Sequence, residues 1–149
     1  MKGLIQRVER ADVNVGGQSV GRIGKGLLLF VGVERNDTTS DAADLCQRIL
    51  HYRVFPDDAG RMNRSLLDVG AHLLVVPQFT LAADTRKGQR PSFSSAADPD
   101  LGRALFDAFV AKAAEHVPGD RLATGQFGAD MAVSLVNDGP VTFLLESRK

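Results

Sequence analysis

Two short segments hold the residues best placed to do chemistry. The first is Pro77-Gln78-Phe79-Thr80-Leu81, which closes the apolar run Ala71–Val76. That run reads as a buried strand, and a proline at its end stops ladder donation. Gln78 and Thr80 then place polar groups where the strand leaves the core. Strand ends that open into long loops commonly form sites. An ordinary strand terminator is the competing reading. The second segment is Asn137-Asp138-Gly139-Pro140-Val141-Thr142. Lying between two apolar runs, Asn-Asp-Gly-Pro reads first as a hairpin turn joining strands Met131–Val136 and Val141–Glu146. A Gly-Pro bond also permits the cis isomer, which only about 5–6% of such bonds in folded proteins adopt.

Other chemistries find little support. His51, His72 and His116 are scattered, and Cys46 has no cysteine partner, so no metal set is expected. Gly24-Lys25-Gly26 is no phosphate loop, because no Lys-Ser/Thr follows to open a helix. No nucleophile elbow marks a Ser-His-Asp triad. Cys46 falls beside an apolar helix face and reads as core filler.

Those segments must be held by a framework rich in strands. Lys2–Val8, Asp12–Val15, Ser19–Ile23 and Leu27–Val33 come first, punctuated by the Gly16-Gly17 and Gly24-Lys25-Gly26 turns. A helix is expected over Ser40–Tyr52, capped by Ser40, with Ala42, Leu45, Ile49 and Tyr52 on one face. Val54-Phe55 is a short strand closed by the turn Pro56–Gly60. After Thr80 some fifteen small and polar residues form a loop too long to be a connector. A second helix starts at the cap Asp98 with Pro99 in first position, stacks Leu101, Leu105 and Phe109, and stops at Gly119. Leu122–Gly125 is a further strand. The expected fold is α+β: a mostly antiparallel, barrel-like sheet with two main helices, in one domain over residues 1–149.

Composition narrows the function classes. The 149 residues are 44% hydrophobic and 24% charged, the balance of a globular chain, with formal net charge zero. Zero charge argues against coating long nucleic acid by phosphate neutralisation. It leaves room for local basic groups, such as Arg86, Lys87 and Arg90, or Arg61 and Arg64. The opening residues lack the apolar core of a signal peptide, and no run reaches membrane-spanning length. With one cysteine, these features lead to the expectation of a cytoplasmic protein without membrane contact.

Taken with the opening Met1-Lys2-Gly3-Leu4-Ile5-Gln6-Arg7-Val8, the two segments resemble the D-aminoacyl-tRNA deacylase family. That family carries Ser-Gln-Phe-Thr and Gly-Pro-Val-Thr motifs, here Pro77-Gln78-Phe79-Thr80 and Gly139-Pro140-Val141-Thr142. The resemblance continues through Lys87–Phe93 and Gly125–Met131, so five segments match in order along the whole chain. One departure matters. Pro77 replaces the family's serine, which shifts the expected work from that hydroxyl to backbone groups around Gln78–Thr80.

The resemblance implies a homodimeric hydrolase acting on aminoacyl-tRNA at its 3′ acceptor end, without a cofactor. Its substrates would be D-aminoacyl-tRNA and glycyl-tRNA, the latter mischarged on a tRNA such as that for alanine. Gly139 and Pro140 of one subunit, joined by a cis bond, would enter the other subunit's site. Their carbonyls would accept from the substrate ammonium and fill the space of an L side chain, which rejects that enantiomer by a clash. Arg7 would anchor this loop. The N–H groups of Phe79 and Thr80 would receive the oxyanion, with Gln78 beside them. Phe127 and Met131 would build the adenosine pocket, and Arg86, Lys87 and Arg90 would meet acceptor-stem phosphates. With no side-chain base beside either motif, the adenosine 2′-OH would assist the water. Thr80 as covalent nucleophile is the competing mechanism. A noncatalytic dimer gripping the CCA end and an esterase for small amino-acid esters are the rival functions.

Overall fold

The computed structural model describes residues 1–148. Strand β1 (Lys2–Val15) is the organising element, since it pairs antiparallel with β2 (Gln18–Ile23), β3 (Gly26–Gly32) and β8 (Ala132–Glu146). From β3 the sheet continues through parallel ladders to β6 (His72–Pro77) and β7 (Leu122–Thr124). The ends of that path, β2 and β7, come into contact, so the sheet nearly closes on itself. A separate two-stranded piece joins β4 (Phe55–Pro56) to β5 (Met62–Arg64). The α+β reading with mostly antiparallel pairing holds, with two parallel ladders added.

β3 and β6 are buried on both faces, which explains their unbroken apolar runs. Leu27, Leu29, Leu73 and Val75 face the helices, whereas Leu28, Leu74 and Val76 join Val8, Val13 and Ile23 inside the curled sheet. Two main helices cover the first face. Helix α1 (Thr39–His51) is capped by Thr38, two residues before the expected Ser40. The Asp41 carboxylate accepts from the Thr38 N–H at 2.9 Å. Ala42, Leu45 and Ile49 are buried as the spacing requires, but Tyr52 lies beyond the helix and packs exposed on Phe143, ring centres 5.9 Å apart. Helix α3 (Pro99–Ala114) starts as its sequence dictates, with the Asp98 carboxylate accepting from the Leu101 N–H at 2.9 Å. It ends before Gly119, which lies in a short 3-10 turn. A four-residue helix, α2 (Leu66–Val69), lies between β5 and β6.

Cys46 is fully buried between the helices and the sheet, and burial pushes its thiol up to about 12. It packs; it does not react.

The expected hairpin at residues 137–140 does not form. Both flanking runs pair with β1: Ala132–Val136 with Asn14–Arg10, and Thr142–Glu146 with Gln6–Lys2. A hairpin needs its two arms to bond each other, and here β1 takes both arms along its length. Between them Asp138–Val141 bulge outward opposite Arg7, with the Gly139-Pro140 bond cis. Asn137 closes the bulge, its Nδ2 donating to the carbonyls of Arg7 at 2.8 Å and Val141 at 3.1 Å. Only glycine fits next: a Cβ at Gly139 would collide with the Val141 nitrogen and the Asn137 side-chain oxygen.

Candidate functional site

The end of β6 positions the first motif. Pro77 lies opposite Val31 in the parallel ladder, and the chain then folds into a 3-10 turn over Phe79–Ala82. Two features press that turn against β3. The Gln78 N–H donates to the Val31 carbonyl at 2.8 Å. Gly32, lacking a side chain, lets the turn close in, since a Cβ there would stand 3.0 Å from Leu81 Cβ and 3.2 Å from the Gln78 oxygen. The turn's own bonding starts at Leu81, whose N–H donates to the Gln78 carbonyl at 3.1 Å. The N–H groups of Phe79 and Thr80 precede it and find no acceptor within the turn, as at any helix start. The side chains are arranged to match. The Gln78 amide donates to the Thr80 hydroxyl oxygen, and the Phe79 ring is 62% exposed.

Beside this turn opens a cavity of about 590 Å³. One wall is the end of β3 and β6 with the turn: Val31, Val33, Val76, Pro77, Gln78 and Phe79. Phe93 packs tilted against Phe79, ring centres 5.3 Å apart, and extends that wall. The N-terminal half of α3 and its cap supply Asp98, Pro99, Gly102 and Phe106, and the segment Phe127–Met131 closes the far side. Phe127 is held between Phe106, at 6.2 Å between ring centres, and Arg103, whose guanidinium carbon stands 4.8 Å above the ring. The Met131 sulfur accepts weakly from the Gln126 N–H at 3.4 Å. Such a space suits a nucleoside-sized group among mostly apolar walls with a few polar atoms.

The site residues expected from sequence thus fall into two groups. Gln78, Phe79, Phe127 and Met131 line the cavity, and Thr80 follows directly on its wall. Arg7, Gly139 and Pro140 do not line it within the same chain. They form a second cluster, in which the Arg7 Nε donates to the Asp138 carbonyl at 3.0 Å and lies 3.2 Å from the Asp138 carboxylate. The Arg7 Nη1 donates to the Val54 carbonyl at 2.6 Å. Gly139 and Pro140 project from this cluster, exposed.

Several lining residues escape a reading of the sequence. Phe93 and Phe106 sit in segments that look like loop and helix core, and only the fold brings them beside Phe79 and Phe127. Two carboxylates, Asp98 and Asp130, also line the cavity. The first is committed to capping α3; the second is exposed. Among the described residues, no three His, Cys, Asp or Glu side chains gather as a metal set, and no helix is long and apolar enough to cross a membrane.

Comparison with known proteins bears on the family and the fold. A family model described as D-Tyr-tRNA(Tyr) deacylase matches residues 4–146. A D-aminoacyl-tRNA deacylase of Thioalkalivibrio sulfidiphilus is 63% identical, the match covering 98% of this chain and 97% of that one. One from Marinobacter nauticus is 60% identical over 99% of this chain and 94% of its own. Among solved structures, a c-Myc DNA unwinding element binding protein superposes with a TM-score of 0.95 at 35% identity, over 100% of both chains. A probable eukaryotic D-amino acid tRNA deacylase shares the fold at a TM-score of 0.85 and 19% identity, over 97% of this chain and 98% of that one.

Proposed function

The chain belongs to the D-Tyr-tRNA(Tyr) deacylase family and hydrolyses the ester of D-aminoacyl-tRNA, and from that premise we propose that the 590 Å³ cavity seats the terminal adenosine. The base lies among Phe127, Met131 and the exposed ring of Phe79. Stacking on such a ring contributes roughly 1–3 kcal/mol per base. The scissile carbonyl then meets the spare N–H groups of Phe79 and Thr80, which receive the oxyanion as the water adds. Loss of one such donor costs about 2.7–4 kcal/mol of transition-state stabilisation. The 3-10 turn that starts at Phe79 on the cavity wall, with its first N–H groups outside the turn's own bonding, is the observation that supports the reading.

The water's proton needs an acceptor, and the motif offers none. Gln78 is an amide, and its donation to the Thr80 oxygen cannot take up a proton. We assign the assisting role to the substrate's own 2′-OH: as water adds to the carbonyl and the acyl C–O bond breaks, it passes the water's proton on to the departing 3′-oxygen, which makes the RNA part of the catalyst. A second reading rests on Asp130, whose carboxylate at the cavity could act as the base.

Chirality is read by Gly139 and Pro140 of a second copy. Within one chain they stand apart from the cavity, exposed and tethered through Arg7. In a two-fold dimer each copy's pair reaches the other's cavity. Their carbonyls accept from the substrate ammonium and occupy the volume of an L side chain. Glycine, which has no side chain to clash, passes the same filter, so mischarged glycyl-tRNA is cleaved as well.

The test is deacylation of matched D- and L-aminoacyl-tRNAs together with glycyl-tRNA. We expect turnover of the D and glycyl forms and sparing of the L form. Equal rates on both enantiomers would sink the chiral filter, and no rate on any of them would sink the chemistry.

A further inference from the structure

The chemistry proposed above leaves several cations at the cavity's edge unused. The loop from Asp84 to Ser92 is closed at its foot by reciprocal main-chain bonds. The Asp84 N–H donates to the Ser92 carbonyl at 2.7 Å, and the Ser92 N–H donates back at 3.0 Å. One residue on, Phe93 packs against Phe79, and both rings line the cavity. The loop therefore rises from the cavity's edge, with Arg86, Lys87 and Arg90 exposed along it and Gly88 turning its tip at φ 69°.

These three cations are not equivalent. Arg86 grips Asp84 with a two-pronged contact, Nε to Oδ1 at 2.9 Å and Nη2 to Oδ2 at 2.8 Å. The Arg86 N–H adds a third bond to Oδ1 at 3.0 Å. The fork holds the Asp84 carboxyl down at about 2 and commits the guanidinium edge that a phosphate would need. Lys87 and Arg90 enter no ion pair among the described residues.

A fourth cation belongs to another wall. Arg103, exposed on α3, stacks its guanidinium on the Phe127 ring at 4.8 Å. Stacking occupies the face of the guanidinium and leaves its N–H edge able to donate. It too enters no ion pair among the described residues. Both aromatic walls of the cavity are thus flanked by cations whose donors are uncommitted.

We propose that Arg103, Lys87 and Arg90 hold the phosphates of the RNA strand that leaves the cavity, while Arg86 only braces the loop. The inference rests on the reading that the cavity takes the terminal nucleoside of tRNA. With that nucleoside inside, the preceding nucleotides must cross the cavity's edge, and each brings one phosphate. The formal charge of zero keeps this grip local to the acceptor end.

Two substrates separate the possibilities: a D-aminoacyl-tRNA, and the ester of the same D-amino acid on adenosine alone, which carries no phosphate. Single-stranded contacts contribute a slope of about 0.7 each, so wild-type KM for charged tRNA should rise with salt at a log–log slope near ~2. Joint replacement of Lys87, Arg90 and Arg103 by alanine should flatten that slope and raise KM for tRNA roughly tenfold at about 0.1 M salt. KM for the adenosine ester should change far less, and Arg86→Ala should keep the wild-type slope. A triple variant with wild-type KM and slope on tRNA overturns the proposal, as does an equal loss on both substrates. Failure of the wild-type protein to cleave either ester would instead strike the deacylase chemistry on which the proposal stands.

Discussion

Arg7 and Asp138 face each other across β1 and β8 and are joined twice. The Arg7 Nε donates to the Asp138 carbonyl at 3.0 Å and stands 3.2 Å from its carboxylate. The other arm of Arg7 donates to the Val54 carbonyl at 2.6 Å, so one side chain ties the bulge to the segment before β4. The guanidinium is 14% exposed, which shelters these bonds from water. It is the fastener of the Gly139-Pro140 bulge.

Loss of that fastener should blur enantiomer discrimination before it abolishes turnover. Arg7→Ala removes charged hydrogen bonds of about 1.5–3 kcal/mol each and leaves the Val54 carbonyl without its donor. A filter that works by collision fails once its loop can yield. We expect the ratio of D to L deacylation to fall at least tenfold, measured as kcat/KM on matched charged tRNAs, while the fold is retained. An unchanged ratio would remove Arg7 from the filter.

That arrangement marks the limit of what the residues disclose in order. The α1 cap falls at Thr38 rather than Ser40, but the cap of α3, the buried Ala42, Leu45 and Ile49 of α1 and the buried runs of β3 and β6 follow from local rules. The bulge does not. Asn-Asp-Gly-Pro between two apolar runs satisfies every local criterion for a hairpin, and only the fourteen-residue length of β1 lets both runs share one partner. The cavity divides in the same way. Gln78, Phe79, Phe127 and Met131 are assigned to the site through motif resemblance, whereas Phe93, though inside a resembling segment, and Phe106 acquire their place from packing across distant segments. Arg86, grouped in sequence with Lys87 and Arg90, is set apart by its bond to Asp84.

The source of the base can be settled by two substitutions and one altered substrate. Thr80→Ala should retain a substantial share of kcat, since its hydroxyl oxygen is held by an amide and has no base beside it. Asp130→Asn should do likewise. A tRNA ending in 2′-deoxyadenosine should react at least a hundredfold more slowly, in line with the roughly 10²–10⁴-fold value of positioned acid–base help. Complete loss of turnover in Thr80→Ala, with folding and tRNA binding intact, would restore the nucleophile. The same loss in Asp130→Asn would assign the base to that carboxylate.

A stability prediction follows from the other end of β1. The Met1 ammonium is buried and bonded to Asp37 Oδ1 at 2.9 Å, Glu34 Oε1 at 3.1 Å and Ser147 Oγ at 3.0 Å. The side chains of Met1 and Asp37 are both fully enclosed. Removing one partner of a buried pair costs about 3–5 kcal/mol, and here Glu34, whose side chain is 29% exposed, compensates the ammonium only in part. Asp37→Asn should therefore lower Tm by roughly 10 °C, given about 2–4 °C per kcal/mol for a chain of this size. A shift below a few degrees in calorimetry would show that Glu34 alone suffices.

The proposal that the filter comes from a second subunit can be tested by mixing defects. Gly139 and Pro140 stand apart from the cavity of their own chain, so a site completed by them must borrow them from a second copy. A two-fold interface is isologous, and a loop reaching out of one subunit implies its copy reaching back. Each site then depends on both chains. One chain altered at Pro140 and another altered at Gln78–Thr80, each inactive alone, should recover activity when allowed to exchange subunits. In a mixed dimer one site collects both lesions and the other collects none. Random exchange makes half of the dimers mixed, with half of their sites intact, so activity should climb to about a quarter of wild type. If the bulge acted within its own chain, every site in the mixture would carry one lesion. Activity would then stay at the level of the separate variants, even after exchange had been demonstrated by mass spectrometry.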